Sequence, residues 1–69
     1  MGVFTDDFIV LTDANPAAQA YGRSLYFNRA SIVAFYRRED DPNMTNVFTA
    51  DGKSYVVKES VNDIYDQTR

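Results

Sequence analysis

Arginine and tyrosine residues recur through the middle of this chain, and their side chains are suited to holding a small anion. Arginine presents a planar fork of donors to phosphate or carboxylate, and a tyrosine ring offers a face for stacking. Together they could bind a nucleotide-like anion. The candidate ligand-binding residues are Tyr21, Arg23, Tyr26, Arg29, Tyr36 and Arg37, with Arg38 next to the last of them.

A structural interpretation of the same residues competes with this one, and we favour it. Tyrosines commonly lie in a core or an interface with the hydroxyl group in water. Exposed arginines pair with surface carboxylates at little gain in stability. Because side chains alternate between the two faces of a strand, at most one of Arg37 and Arg38 is expected to share a site with Tyr36.

Catalytic chemistry has little support in this composition. The chain contains no histidine and no cysteine, which removes the Ser-His-Asp and Cys-His nucleophile systems and the commonest zinc ligands. Its glycines stand alone, so no phosphate-binding loop is present. The acidic runs Asp6-Asp7 and Glu39-Asp40-Asp41 are best interpreted as solvated turns, since neither has the alternating spacing of a calcium loop. We expect no enzymatic activity, no cofactor and no metal.

Three runs in the first half of the chain have the patterns of short β-strands. FIVLT (Phe8 to Thr12) is largely apolar and predicts a strand buried on both faces. RSLYFNR (23–29) alternates weakly between apolar and polar residues. ASIVAFYRR (30–38) is apolar on both faces, which favours a central strand or one covered by a second layer.

The clearest signals lie in the C-terminal part of the chain. Asp51-Gly52 stands between TNVFTA and KSYVVKE and predicts a type I′ hairpin, in which both turn residues need positive φ. Ser60 can cap a following helix, with Asp63 three residues further on. One face of that helix would carry Val61, Ile64, Tyr65 and Thr68.

The first loop, residues 13–23, is longer than most connections in small domains. Asn15, Pro16 and Gly22 suit the cap, the first position and the C′ position of a helix, and they predict one or two helical turns on residues 16–21. The loop is either functional or a plug for an open end of the sheet. The expected fold is α+β: a small antiparallel β-sheet of about five short strands with a C-terminal helix and a short helix in the first loop.

Size and charge limit the partners that this chain can have. We expect one small domain over residues 1–69, and a chain of this size buries only about 60% of the surface that its unfolded form exposes. Without disulfides, such domains usually gain stability from a partner subunit, so we expect a homo-oligomer. The net charge of −3 argues against duplex nucleic acid. No stretch approaches the ~20 apolar residues of a membrane span, and the lack of cysteine and of a signal sequence favours the cytoplasm.

Short motifs also follow one another in a fixed order between residues 8 and 65. They are Val10-Leu11-Thr12, Phe27-Asn28, Ile32-Val33, Asp51-Gly52-Lys53, Tyr55-Val56-Val57-Lys58-Glu59-Ser60-Val61 and Ile64. This order resembles that of the small bacterial FlbD/SwrD-like flagellar proteins. The resemblance implies a non-enzymatic accessory protein that affects the output of the flagellar motor.

The chain departs from that family pattern in two loops. It has DANPAAQAYGR in place of a tight Leu-Asn-Gly turn, and REDDPNMT in place of a short turn. LytTR-type DNA-binding domains carry a similar strand, turn, strand and helix at their end, but they are longer and need a basic surface.

Two functions from different classes follow from these observations. The first is a small interaction or accessory module that is non-enzymatic, self-associating and FlbD-like in scaffold. The second is a phage- or bacterium-encoded protein that sequesters a small anionic nucleotide-type ligand between subunits. A third, binding of single-stranded nucleic acid on an aromatic sheet face, is disfavoured by the acidic charge. We therefore expect an unidentified protein partner or a small anionic ligand.

Overall fold

Five antiparallel strands and one C-terminal helix make up residues 8–68, the part of the chain that the computed structural model describes. The strands are β1 (Phe8–Thr12), β2 (Ser24–Asn28), β3 (Ile32–Arg37), β4 (Thr45–Thr49) and β5 (Ser54–Val57); the helix is α1 (Val61–Thr68). The predicted α+β class with five short strands and a C-terminal helix is confirmed. The acidic run Asp6-Asp7 lies outside the described residues.

The strands form two antiparallel sheets that meet at one point. β1 pairs with β2, and β3, β4 and β5 form the second sheet in that order. A bridge between Asp13 and Val57 joins them, and the N–H of Lys58 donates to the carbonyl of Thr12 at 2.9 Å. The strands therefore follow the order β2-β1-β5-β4-β3, with β2 and β3 at the two outer edges.

One face of this arrangement buries the core. Alternate residues of the strands point inward because the side-chain period of a strand is two. Phe27 and Tyr55 meet edge to face with their ring centroids 5.0 Å apart, which ties the first sheet to the second. The buried core consists of Ile9, Leu11, Phe27, Val47, Val57 and Ile64.

The prediction that β1 and β3 are buried on both faces is wrong. Along β1, Ile9 and Leu11 are buried while Phe8 is 48% exposed. β3 lies at an edge, its Val33 is 62% exposed, and β4 holds the central place. The physical reason is that α1 packs against β1 and β3 on one face, while within residues 8–68 no second layer covers the opposite face.

The first loop does not form the predicted helix on residues 16–21. It consists of successive turns, in which the N–H of Ala18 donates to the carbonyl of Asn15 at 3.0 Å and that of Tyr21 to Ala18 at 3.2 Å. The predicted cap does form, since Asn15 Oδ1 accepts from the N–H of Ala17 at 3.0 Å. So short a helix needs packing to persist, and these residues are largely exposed. A single 3-10 helix occurs elsewhere in the described chain, at Arg29–Ser31.

The connection between β4 and β5 spans residues 50–53 instead of the predicted two-residue Asp-Gly turn, and the N–H of Thr49 donates to the carbonyl of Lys53 at 3.0 Å. The N–H of Gly52 donates to the carbonyl of Thr49 at 3.0 Å, and Gly52 has a φ of +87°. The Asp51 carboxylate accepts from the hydroxyl of Thr49 and from the N–H of Lys53. These hydrogen bonds hold the pKa of Asp51 below its ordinary value. The conformation of the hairpin turn thus depends on Gly52 and on the Asp51 carboxylate.

Helix α1 begins where the sequence predicts. The N–H of Asp63 donates to Ser60 Oγ at 3.1 Å, so the predicted cap is confirmed. Ile64 is fully buried, Val61 and Thr68 are half-buried, and Tyr65 is 57% exposed. The buried stripe of the helix is therefore narrower than predicted.

Truncation of Ile64 is expected to destabilise the whole domain. Ile64→Ala should lower the free energy of unfolding by about 2–5 kcal/mol, because a cavity remains among β1, β3 and α1. That loss is comparable with the roughly 3–10 kcal/mol expected for a chain of this length. Urea titration followed by circular dichroism measures it. Asn62→Ala, at an exposed position of the same helix, is the control and should change stability by less than about 0.5 kcal/mol. Equal effects of the two variants would contradict the assigned core.

Candidate functional site

The six predicted ligand-binding residues do not converge on one site. Tyr36 and Arg37 lie at the end of β3, where they share a cleft. The other four lie elsewhere and line none of the three clefts found within residues 8–68: Tyr21 and Arg23 in the first loop, Tyr26 on β2, and Arg29 in the 3-10 helix. Of the six predicted residues, Tyr36 and Arg37 are therefore the two that line a cleft together.

The first cleft lies between the end of β3 and the beginning of α1. It has a volume of about 440 Å³ and is lined in part by Tyr36, Arg37, Pro42, Ser60 and Asn62. Within residues 8–68, the Arg37 side chain takes part in no hydrogen bond or ion pair, and it is exposed. A cation with no protein partner beside a tyrosine ring could hold a small anion here.

A second cleft, of about 520 Å³, is lined by Tyr36 together with both Arg37 and Arg38. The prediction that at most one of these arginines shares a ligand-binding site with Tyr36 stays a prediction.

Arg38 itself has a structural role in this cleft. Its guanidinium forks onto Asp40, with both nitrogen–oxygen distances 2.9 Å, and also donates to Asn46 Oδ1 at 3.3 Å. The hydrogen bond and ion pair lower the pKa of Asp40 and raise that of Arg38. Asp41 accepts from the N–H of Asn43 at 3.1 Å, so this acidic run forms a turn. Among residues 8–68, no three acidic side chains lie close enough to hold a metal ion.

An aromatic pair lies on the outer face of the second sheet. Tyr36 stacks on Phe48 with the ring centroids 5.7 Å apart and the planes at 25°. Tyr36 is half exposed, and Val33 near the other end of β3 is more exposed still. Around Tyr36 this face is therefore aromatic and open to solvent in the described part of the chain.

The edge of β1 that faces away from β2 is closed by side chains. The Gln67 amide accepts from the N–H of Val10 and donates to its carbonyl, both at 3.1 Å, as a neighbouring strand would. The Glu59 carboxylate accepts from the N–H of Thr12 at 2.7 Å and from its hydroxyl at 2.9 Å. Sequence reasoning missed both Glu59 and Gln67, because their partners lie 47 and 57 residues away.

The outer edges of β2 and β3 have no such closure among residues 8–68. The N–H of Arg38 donates to the carbonyl of Met44 at 3.1 Å. In an antiparallel ladder every second residue bonds to the neighbouring strand, so the backbone groups of Arg38, Tyr36 and Ala34 point toward β4. The backbone groups of Phe35 and Arg37 consequently point away from β4. By the same reasoning from the bond between Asp13 and Arg23, the backbone groups of Tyr26 point away from β1.

Comparisons with protein-family models, with curated proteins and with solved structures find no match for this chain. No helix among residues 8–68 combines the length and the apolar character needed to cross a membrane. The clefts and the open strand edges are therefore the features of this chain that bear on its function.

Removal of the Gln67 amide is expected to open the edge of β1. In Gln67→Ala the amide hydrogen of Val10 should exchange faster with solvent, while that of Ile9, which faces β2, should change less. The loss in stability should be about 0.5–1.5 kcal/mol, the usual net value of a hydrogen bond. Hydrogen exchange followed by NMR measures the effect residue by residue. Gln19→Ala, in the exposed first loop, is the matched control. If Val10 exchanges as fast as Tyr26 in the unmodified protein, this edge is not closed.

Proposed function

We propose that this chain is a non-enzymatic interaction module that associates with itself through an open edge of its sheet. The proposal rests on a difference between two strand edges, one covered by side chains and one unpaired. The edge of β1 is closed by Gln67 and Glu59, whereas β3 presents an unpaired edge beside exposed apolar side chains within the described residues.

Edge strands usually carry features that prevent pairing with another chain, such as lysine, proline or a very short length. β3 has six residues, the most of any strand here, and contains neither lysine nor proline. A bulge between Ile32 and Ala34 interrupts only its N-terminal half. Apart from Arg37, the C-terminal half of β3 therefore lacks the features that usually prevent pairing.

The apolar surface of the domain also supports association. A 69-residue chain without disulfides has few other ways to bury more apolar area. The large apolar side chains exposed in the described chain are Phe8, Val10, Tyr21, Tyr26, Val33, Tyr36 and Tyr65. Covering some of them with a second copy or another protein would add stability in proportion to the apolar area buried.

The biological setting that we propose follows the sequence resemblance. A FlbD-like accessory role in a bacterium, or an origin in a phage, agrees with a small β-rich scaffold that lacks histidine and cysteine. The cytoplasm is the proposed location, since the chain has no cysteine to oxidise.

A second function, sequestration of a small anionic nucleotide-type ligand, is favoured by the cleft that Tyr36 and Arg37 share. Its volume of about 440 Å³ falls within the range usual for small-molecule pockets, roughly 300–1,000 Å³. The separation of Tyr21, Arg23, Tyr26 and Arg29 from that cleft weighs against this function. We therefore rank it below the interaction module.

Native mass spectrometry of the protein purified gently from cells separates the two functions. The interaction module predicts a homo-oligomer without added mass. The sequestering protein predicts an oligomer that carries a few hundred daltons of extra mass per site. A monomer at every protein concentration, combined with the absence of any co-purified partner, would contradict the proposed self-association.

A thermal-shift screen against mononucleotides and cyclic nucleotides tests the sequestering function directly. A ligand at 100 times its dissociation constant should stabilise the folded protein by about 2.7 kcal/mol. Arg37→Ala should abolish the shift. Arg23→Ala, an exposed arginine that lines none of the three clefts, should keep it. No shift across the panel, or equal loss in both variants, would count against the Tyr36–Arg37 cleft as the site.

A further inference from the structure

The open edge of β3 lies between two clefts. Tyr36 and Arg37 line both of them, so the clefts adjoin at the C-terminal end of this strand. The first cleft lies on the side of α1, where Phe35 and Val61 also line it. The second is lined by Asn46, which alternates with the buried residues of β4 and therefore faces away from the core. A segment lying along the edge of β3 would thus have a cleft on each side.

The backbone of this edge is available to such a segment. The N–H and C=O groups of Phe35 and Arg37 point away from β4, as the alternation of the ladder requires. A peptide that adds to a sheet edge binds through groups of this kind, and its alternate side chains enter pockets on the two faces. Two clefts that flank one unpaired strand end match this mode of recognition, whereas a small anion would occupy one cleft.

Charge distinguishes the two clefts. Among the residues that line the first, Arg37 alone is charged, and its guanidinium has no hydrogen-bond or ion-pair partner within residues 8–68. Asp63, the acidic residue in the first turn of α1, does not line it. The second cleft has Arg37 and Arg38 together with Glu39 and Asp40, and Arg38 is paired with Asp40. An anionic side chain therefore fits the first cleft, while the charges of the second are balanced.

We propose that the C-terminal half of β3 binds an extended peptide segment of another protein, which pairs with it in antiparallel fashion and places a carboxylate opposite Arg37. Residues directly opposite each other in such a pair have their side chains on the same face, so the carboxylate enters the first cleft. A single copy of the chain supplies the whole site. The proposal therefore goes beyond self-association and does not depend on it.

The alternation of β3 also specifies the next two residues of the segment. The residue after the acidic one lies opposite Tyr36, whose half-exposed ring is stacked on Phe48, and an aromatic or β-branched side chain packs best there. The following residue lies opposite Phe35, which packs against the core, and should be apolar. The segment is thus acidic, then aromatic or β-branched, then apolar.

A synthetic peptide tests this assignment. The probe is Thr-Ser-Glu-Tyr-Val-Ser-Thr with both ends blocked, so that the glutamate is its only charge. Its affinity should be modest, because interfaces below about 1,000 Å² are usually weak or transient. In an NMR titration, hydrogen exchange should slow at the amides of Phe35 and Arg37, which gain acceptors. The amide of Tyr26, on the other open edge, should not change.

A double-mutant cycle tests the contact with Arg37. The peptide with glutamine in place of glutamate should bind the unmodified protein about two- to fivefold more weakly, the factor that a cross-strand pair of opposite charges supplies. Arg37→Gln should remove this preference, so that the two peptides bind equally. Arg23→Gln, at an exposed arginine that lines none of the three clefts, is the matched control and should keep it.

Methylation of peptide nitrogens tests strand addition without altering the protein. The N–H of the peptide glutamate would donate to the carbonyl of Arg37, whereas the N–H of the next residue would point away from β3. N-methylation at the glutamate should therefore abolish binding, and N-methylation at the tyrosine should leave it. If both methylated peptides bind equally and acetate alone reproduces the shifts at Arg37, the first cleft holds a small anion and strand addition is wrong.

The outcomes separate this proposal from self-association. If the protein is a monomer and binds the peptide with the expected charge and backbone dependence, the proposal stands and self-association is wrong. If the protein is an oligomer that excess peptide neither binds nor dissociates, the proposal is wrong and self-association stands. An oligomer that the peptide converts to monomer supports both, with the two partners competing for the edge of β3. Equal slowing of exchange at Tyr26 and Arg37 would contradict the choice of edge.

Discussion

The junction between β1 and the segment that leaves β5 holds the two sheets of this domain together. The carbonyl of Thr12 accepts from Lys58, its N–H and hydroxyl donate to the Glu59 carboxylate, and the hydroxyl of Thr45 donates to the Glu59 carbonyl at 2.7 Å. Residues 58 and 59 therefore contact β1 and β4 while they extend β5. Without this junction, β1 and β2 would be an isolated two-stranded hairpin, which is marginal in water.

The position of this junction determines which sheet face and which strand edges remain exposed. The side chains that point inward from β1, β4 and β5 meet Ile64 of α1 and form the core on one face. Within residues 8–68, no second layer covers the other face. Phe8, Val10 and Tyr36 remain exposed for that reason, and the strands farthest from the junction, β2 and β3, become the open edges. The small size of the core and the open surface thus have one cause.

Local signals in the sequence predicted the short strands and the start of α1, but they were wrong for the helix on residues 16–21 and for the two-residue turn at Asp51-Gly52. Ser60 caps α1 because the cap and its donor are three residues apart, and the strands follow from short apolar runs. What depends on distant partners could not be predicted: the closure by Gln67 involves a residue 57 positions away, and nothing in the pattern of β3 shows that it lies at an edge. Tyr36 and Arg37 line one cleft because they are adjacent in the chain at the end of β3. Tyr26 was grouped with them by residue type alone, and the sheet order places it on the opposite edge strand.

In the proposed self-association, net charge would oppose the approach of two copies. Two copies, each with a net charge of −3, repel one another at long range, and that repulsion is screened over about 8 Å at physiological ionic strength. Backbone hydrogen bonds and aromatic contacts at a strand edge act at short range and are not lost to screening.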